Sequence, residues 1–351
     1  MIFDNIKVDI FGSSHADKIG VTVSGLPVGF KVDENKLQAF VDRRKAVSSP
    51  WSTRRIEPDE VEFEKGIEKG VITGEVTGVI KNTNVRSNDY DNLQYIPRPS
   101  HADYPAKLKY GIDYDVKGGG AFSGRMTAPL CIAGGIAKQV LEEKGVYVGA
   151  YVSKIGNVSA KSYLDGVSKE EIEKAHGEDI ALLSNKEKIV KLIEETGKNE
   201  DSVGGEIECV VKGVKGGLGG ALFDGVESKI AGVLFGVPAV KSVEFGLGKG
   251  FAEAKASEVN DEYYYEEGKV RTYSNNNGGL LGGITTGEDI LVRVTLKPTP
   301  SIRKAQRSVN LKTKENVTIE IKGRHDVCIV PRAVAPVEAC VCLALLDLIG
   351  E

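Results

Sequence analysis

The stretch TAPLCIAGGIAKQVLEEKG, residues 127–145, decides the fold. Apolar and small residues fill most of it and Gly145 can stop a helix, so it predicts a helix over about 127–144. The stretch VEACVCLALLDLI at 337–349 has the same character and predicts a second helix. A helix that is apolar nearly all round is buried rather than amphipathic. We therefore expect both helices to lie between layers of the protein.

Alternating apolar and polar residues elsewhere predict β-strands. The predicted strands cover 7–11, 19–23, 61–67, 146–152, 206–211, 240–245, 290–296 and 317–321. Strands dominate, no regular strand–helix alternation occurs, and no Pro- or Ser-rich linker divides the chain. The sequence therefore predicts one domain over 1–351 in the α+β class, a sandwich of antiparallel sheets and buried helices.

Capping residues predict two further helices. Asp33 can cap a helix whose apolar face holds Leu37, Phe40 and Val41, with Arg44 one turn on. Ser184 and Glu187 have the spacing of a capping box, and Gly197 can end the helix that follows. His176 stands in the polar stretch SKEEIEKAH, which is typical of an exposed helix.

Two short stretches indicate an internal repeat. RMTAPLC at 125–131 and RAVAPVE at 332–338 share an arginine followed by Ala-Pro, near the start of the two apolar helices. The match covers few residues, so a duplication and a chance similarity both stay open.

Composition excludes several classes of protein. The formal net charge of −4 argues against general nucleic-acid binding, so an anionic ligand would need a local basic cluster. No apolar run is long enough to cross a bilayer, and the first residues do not resemble a signal peptide, so we expect a cytoplasmic protein without membrane contact. Five cysteines without a CxxC pair indicate reduced core thiols rather than disulfides or a zinc site.

Common catalytic motifs are missing from the sequence. It contains no GxxxxGK[ST] loop and no GxSxG elbow, and its four histidines lack HExxH spacing, so we expect no metal site. Arginine and histidine instead recur beside Gly or Ser, as in RRKAVSSPWSTRR, RPSHADYP and GRHDVC. Guanidinium groups bind phosphate and carboxylate in bidentate fashion. Several of them in one pocket would suit a small polyanion, whereas each alone can equally be a solvated surface residue.

Six stretches together resemble the chorismate synthase family. They are FGSSHADKIGVTVSGLP, RPSHADYPAKLKYG, GGGAFSGRMTAPLCIAGGIA, SNNNGGLLGGITTG, LKPTPSI and GRHDVCIVPRAVAPVEA, spread from residue 11 to 339 in the order of the family. The resemblance implies a lyase that eliminates phosphate from 5-enolpyruvylshikimate 3-phosphate to give chorismate, the last common step towards the aromatic amino acids. It also implies a reduced FMN cofactor without net redox change, with NADPH needed only indirectly, and a homotetramer. Because the sequence has no Rossmann motif, we expect an external flavin reductase.

The resemblance also implies the roles of individual residues. His15 and His101 would carry protons, a role that suits histidine because its charge changes near neutral pH. Asp326 would assist removal of the substrate proton, although pairing with Arg324 is an alternative role. His325 would point the other way if this stretch is extended, so we assign it no role.

Binding residues follow from the same motifs. The expected substrate ligands are Arg43, Arg44, Arg125 and Arg332. The expected FMN contacts are Ser123, Ala239, Gly282, Lys297, Pro298, Thr299, Pro300, Ser301 and Arg324. The sequence departs from the family at Ala121, Phe122 and Pro50, which leaves part of the flavin contact and any nicotinamide site unsupported.

Two other functions stay open from the residues alone. An FMN-dependent oxidoreductase acting on a small polyanion would share the flavin site. A polyanion-binding module without activity would need the arginines but neither His15 nor Asp326.

Overall fold

The computed structural model of the chain describes residues 4–46, 57–83, 94–321 and 325–350. Its helices are α1 (Glu34–Asp42), α2 (Asp103–Tyr110), α3 (Thr127–Glu143), α4 (Lys169–His176), α5 (Lys186–Lys198), α6 (Val226–Leu234), α7 (Ala256–Val259) and α8 (Val330–Ile349). Its strands are β1 (Lys7–Gly12), β2 (Lys18–Ser24), β3 (Glu62–Glu68), β4 (Val71–Lys81), β5 (Tyr147–Ile155), β6 (Val158–Ser159), β7 (Gly205–Lys212), β8 (Val240–Phe245), β9 (Tyr263–Glu266), β10 (Lys269–Thr272), β11 (Leu280–Leu281), β12 (Ile284–Thr285), β13 (Ile290–Leu296), β14 (Gln306–Asn310) and β15 (Glu315–Ile319). Short 3₁₀ segments cover Lys117–Phe122 and Gly124–Met126.

Two antiparallel sheets make up most of the β-structure. The first has the strand order β1-β2-β4-β3 and the second the order β6-β5-β7-β13-β8. On β2 the side chains of Ile19, Val21 and Val23 are buried, because alternate residues of a strand face the same side. This arrangement confirms the predicted α+β fold with antiparallel sheets.

The two apolar helices lie between these sheets, as the sequence predicts. Helix α3 packs against β2 and β4 of the first sheet, and α8 packs against β5 and β7 of the second. The helices also contact each other closely: a Cβ atom on Gly134 would lie only 2.2 Å from the Cβ of Ala339. Burying one Val or Leu side chain stabilises a fold by about 1.5–3 kcal/mol. Because α8 buries nearly every side chain from Ala333 to Asp347, it contributes much of the core.

Helix α8 begins seven residues before the predicted start. Pro336 disfavours an earlier start, because proline cannot donate a hydrogen bond inside a helix. In the structure Pro331 stands in the first turn, where an N–H has no helical partner anyway, and the helix continues through Pro336. Packing between the two sheets therefore outweighs the local preference of proline.

Both helices predicted from capping residues form, but the predicted cap is right for α1 and wrong for α5. The carboxylate of Asp33 accepts a hydrogen bond from the backbone of Lys36, as expected of a helix cap. The predicted capping box at Ser184 and Glu187 does not form, because the Ser184 hydroxyl accepts a hydrogen bond from the backbone of Lys161 instead. Asn185 in the left-handed conformation precedes the helix. The last strand is also two residues earlier than predicted.

The cysteines behave as core side chains. All five are buried and none is in a disulfide, which confirms the prediction. Burial raises the pKa of the Cys131 thiol to about 12, so this group stays protonated and unreactive near neutral pH. Across the ranges that the structure describes, no helix is both long and apolar enough to span a bilayer.

Candidate active site

A cavity of about 680 Å³ lies where the first turn of α8 meets the segment before α3 and the segments that flank β8 and β13. Many of the predicted site residues line it, although they come from distant parts of the chain. They are Arg44, His101, Ser123, Arg125, Ala239, Lys297, Thr299, Pro300, Ser301, Asp326 and Arg332. The wall therefore combines basic, carboxylate and imidazole groups with small residues.

A buried carboxylate holds two of the cavity arginines. Asp59, only 1% exposed, accepts a hydrogen bond from Arg44 Nη1 at 3.1 Å on one oxygen and pairs with Arg125 Nη1 through the other. Arg44 Nε also donates to Thr127 Oγ1 at 2.8 Å, and Arg125 Nε donates to Asn82 Oδ1 at 3.1 Å. These bonds fix both guanidinium groups in the wall before any ligand arrives.

The positive charges in the wall repel each other. Burial, the Arg332 charge and the Arg125 charge lower the pKa of Arg44 to about 10 even though Asp59 opposes the shift. Arg44 therefore remains charged at neutral pH. An anion that enters the cavity would relieve this repulsion.

Asp326 pairs with an arginine of the cavity. Arg332 Nη1 donates to Asp326 Oδ2 at 2.7 Å, and Arg332 Nε donates to the carbonyl of Arg44 at 3.2 Å. The alternative partner considered from the sequence, Arg324, lies outside the described residues. The two arginines of the suggested repeat, Arg125 and Arg332, line the same cavity.

The imidazole of His101 is held on both sides. Its Nδ1 lies 3.0 Å from the carbonyl oxygen of Pro99 and its Nε2 lies 2.8 Å from Ser301 Oγ. Burial and the Arg98 charge lower its pKa to about 4, so the ring is neutral at pH 7. A carbonyl oxygen can only accept, so Nδ1 carries the proton, and Nε2 accepts a hydrogen bond from the Ser301 hydroxyl.

His15 lies behind the glycine-rich wall of the cavity. Its Nδ1 is 2.9 Å from Ser14 Oγ, which in turn donates to the carbonyl of Gly118 at 3.2 Å. Gly118 lines the cavity and has a φ of +58°, and a Cβ atom there would lie 1.8 Å from His15 Cε1. The position therefore requires glycine, both for its backbone conformation and for the close approach of the imidazole.

Arg43 points away from this cavity. It donates to both carboxylate oxygens of Glu338, at 3.1 and 2.8 Å, and lines a separate cavity of about 370 Å³. His176 joins this pair: its Nε2 lies 2.8 Å from the carbonyl of Ala150 and 2.9 Å from Arg43 Nη2. The expectation that His176 is exposed is therefore wrong, since only 15% of its side chain is accessible.

Three of the expected flavin contacts are not among the cavity-lining residues. Pro298 lies between two lining residues but packs beside Gly204. Gly282 lies in the turn between β11 and β12, whereas Lys297 directly follows β13. Arg324 falls outside the described residues.

Several charged or polar residues of the cavity have no role predicted from the sequence, among them Asp59, Arg98 and His325. Asp59 carries no recognisable motif. Arg98 forms a buried pair with Asp103, with Nε to Oδ2 at 2.7 Å. His325 was set aside on the assumption that 325–326 is extended, but these residues are not in a strand and both line the cavity. That expectation is wrong because side-chain alternation holds only for regular strands.

The cavity exposes polar groups that nothing in the described protein satisfies. Arg125 Nη2, Thr299 Oγ1 and His325 Nε2 are buried and have no hydrogen-bond partner there. Leaving a buried donor or acceptor unpaired costs about 1–3 kcal/mol. A polar ligand that fills the cavity would recover this cost, so the residues fit a flavin together with an anionic substrate.

The fold and the site define an α+β enzyme with a cationic, histidine-containing cavity for polyanions. A sequence profile described as chorismate synthase matches residues 6–349. The chorismate synthase of Lancefieldella parvula is 44% identical to the chain, covering 97% of the chain and 94% of the relative. That of Thermococcus kodakarensis is 43% identical, covering 97% and 95%. A solved structure titled "Crystal Structure of Chorismate Synthase" matches with a TM-score of 0.75 at 24% identity, over 99% of this chain and 92% of that one, which supports the fold. The chain belongs to the chorismate synthase family.

Proposed function

We propose that the chain eliminates phosphate from 5-enolpyruvylshikimate 3-phosphate in an anti-1,4 sense and forms chorismate. The observation that carries this proposal is the convergence of Arg44, Arg125 and Arg332 with His101 and Asp326 on one cavity. Binding a polyanion requires the arginines, and moving protons requires the histidine and the carboxylate. Family membership supports the same reaction.

The arginines are proposed to bind the charged groups of the substrate. The substrate carries one phosphate and two carboxylates, and Arg44, Arg125 and Arg332 offer forked donors for such groups. Asp59 and Asp326 hold these arginines in place without neutralising the whole cluster. The positive charge that remains on the arginines is therefore available to bind an anionic ligand.

The cofactor is proposed to be reduced FMN. Ser123, Ala239, Lys297, Thr299, Pro300 and Ser301 line the cavity and would hold it. When bound, reduced flavin supplies electron density that assists cleavage of the C–O bond and is recovered as the C–H bond breaks. The Thr299 hydroxyl has no hydrogen-bond partner within the described protein, which suits a heterocyclic ligand that can pair with it.

Three proton carriers are proposed, His101 and Asp326 in the cavity wall and His15 behind Gly118. His101 can take up a proton at Nε2, because its Nδ1 already carries one. The Asp326 carboxylate is proposed to assist removal of the ring proton, with Arg332 holding one of its oxygens. His15 is proposed to act next to the leaving phosphate from behind Gly118.

An anaerobic assay tests the function. Enolpyruvyl substrate and reduced FMN are mixed with the protein, and free phosphate, chorismate and the flavin spectrum are followed. The proposal expects phosphate and chorismate in equal amounts with no net flavin oxidation. Stoichiometric flavin oxidation would indicate an oxidoreductase instead, and ligand binding without phosphate release would indicate a binding module.

The proposed partners are further copies of the chain and an external flavin reductase, in the cytoplasm. In a homotetramer Gly282, which does not line the cavity of its own chain, could contact the flavin of another copy. Light scattering measures the assembly. NADPH and oxidised FMN alone should not sustain turnover, and sustained turnover without a second protein would refute the need for a reductase.

A further inference from the structure

His325 lines the cavity but has no part in the reaction proposed above. It stands between the Arg324 position and Asp326, in a segment that leads into α8. Its neighbour Asp326 faces the same cavity and is held by Arg332. The site therefore contains a second histidine in its wall besides His101.

The Nε2 atom of His325 is the informative part of this residue. It is buried and has no hydrogen-bond partner within the described structure. In most folded proteins a buried polar atom of this kind is paired, so its partner is expected to be a molecule that enters the cavity. Such a molecule can reach His325 from the cavity, because His325 is part of the cavity wall.

The chemistry of the ring indicates which ligand it suits. Burial and the positive charges of Arg98 and Arg303 lower the pKa of His325, although Asp326 opposes the shift, so the ring is neutral at pH 7. A neutral imidazole brings no charge to attract phosphate or carboxylate, whereas Arg44, Arg125 and Arg332 do. It matches the neutral N–H and carbonyl groups of a flavin ring.

Other residues of the cavity also favour a flavin contact for His325. Arg98 influences both His325 and His101, and His101 contacts Ser301 in the segment expected to hold FMN. A second unpaired atom, Thr299 Oγ1, belongs to that segment. His325 Nε2 and Thr299 Oγ1 are thus two unpaired polar atoms of one cavity, and the second belongs to the segment assigned to the cofactor.

We propose that His325 is a flavin-binding residue whose Nε2 forms a hydrogen bond directly with FMN. This inference rests on the proposed function, because it takes FMN as the cofactor. It adds a contact from the chain that sequence motifs did not indicate.

Flavin titration tests the inference without turnover. FMN is titrated into the protein and followed by flavin fluorescence, and the titration is repeated anaerobically with reduced FMN by calorimetry. His325→Asn keeps a polar group near the position of Nδ1 but removes Nε2. The loss of one neutral hydrogen bond should raise the Kd of FMN by about 3- to 10-fold. His325→Gln, whose amide reaches the Nε2 position, should restore most of the affinity.

Two controls separate this contact from general damage. His176→Asn removes another buried histidine, but one that is bonded to Arg43 and lies outside the flavin cavity, so its Kd for FMN should equal that of the unchanged protein. Thermal unfolding without ligand should show that each His325 variant remains folded at the titration temperature. A variant that unfolds is replaced in the comparison by Thr299→Val, which removes the other unpaired group and should weaken FMN similarly.

The outcomes are distinct. Equal FMN affinity of His325→Asn and the unchanged protein would overturn the inference and leave the proposed reaction intact. Unchanged FMN affinity with weaker binding of the phosphorylated substrate would also overturn it, by assigning Nε2 to the substrate. If the unchanged protein bound no flavin in either redox state, the proposed cofactor itself would be wrong.

Discussion

Arg43 and Arg44 are neighbours at the end of α1 and have opposite environments. Arg43 enters a cluster around Glu338, which is fully buried and also receives Lys138 at 3.1 Å and the backbone N–H of Ala150 at 3.0 Å. Arg44 enters the cavity and shares Asp59 with a second arginine. One carboxylate therefore serves two cations in each cluster.

The difference between the clusters lies in what remains unpaired. Burial raises the pKa of the Glu338 carboxyl, but the positive charges of Arg43 and Lys138 lower it far below the usual range. Around Asp59 the Nη2 atom of Arg125 stays without a partner, and burial together with neighbouring positive charges lowers the pKa of Arg44. A cluster that is complete stabilises the fold, whereas an incomplete cluster is prepared for a ligand. Substitutions in and around the two clusters test this difference between Glu338 and Asp59.

The largest effect is expected at Asp326. Asp326→Asn keeps the shape of the side chain and an acceptor for Arg332, but the amide cannot take up a proton. Turnover should fall by about 10²- to 10⁴-fold while reduced FMN binds normally, since this is the usual contribution of a general base. Steady-state kinetics and FMN titration measure the two effects. Normal turnover would leave Asp326 as an orienting partner of Arg332 only.

The next effect is expected at Glu338 and concerns stability. Glu338→Gln removes the carboxylate, so that Arg43 loses this buried counter-charge and Lys138 keeps only Glu142 among the described carboxylates. Breaking one partner out of a buried ion pair costs about 3–5 kcal/mol, so the free energy of unfolding should fall by that amount. Urea unfolding measures it. A loss below 1 kcal/mol would show that the cluster is not the closed structural unit described above.

A smaller effect separates the two neighbouring arginines. Arg44→Ala removes a charge-assisted contact worth about 1.5–3 kcal/mol, so the KM for substrate should rise by roughly 10- to 150-fold. Arg43→Ala is the matched control: it should lower the free energy of unfolding and leave KM nearly unchanged. If KM rose equally in both variants, the expectation from the sequence that Arg43 also binds substrate would hold.

The smallest effect is a dependence of stability on pH. The pKa of His101 is about 4 in the folded protein, below the value of about 6.5 in an unfolded chain. Between these values the unfolded chain binds a proton that the folded chain does not, so the free energy of unfolding should fall as the pH drops from about 6.5 to 4. His176 and His325, whose pKa values are also lowered, act in the same direction.

Urea unfolding at several pH values checks this dependence. His101→Gln removes one of the three groups and should flatten the decline over that range. An equally steep decline in the variant would show that His101 does not contribute to it.

The possible contacts of Gly282 illustrate a limit of motif-based prediction. The motif that contains it was assigned to the flavin together with KPTPS, since both occur in the same family pattern. In the fold KPTPS contributes several residues to the cavity wall, whereas Gly282 in the β11–β12 turn does not line it. Shared membership of a motif set says nothing about distance within one chain.

The sequence by itself determined the fold class and many of the polar residues that line the cavity. The apolar stretches at 127–145 and 337–349 predicted two buried helices, because hydrophobic pattern is a local property that each segment carries with it. The motifs around His101, Arg125, Lys297 and Asp326 likewise indicated residues that the fold brings to one cavity.

Only the tertiary structure decided which charged groups are paired. Arg43 and Arg44 are the same residue type at adjacent positions, and nothing local distinguishes them. Their partners, Glu338 and Asp59, lie 295 and 15 residues away. His325 and Asp59 joined the site for the same reason. A charge is satisfied by whatever packing places within about 4 Å, and that depends on how the helices and sheets come together.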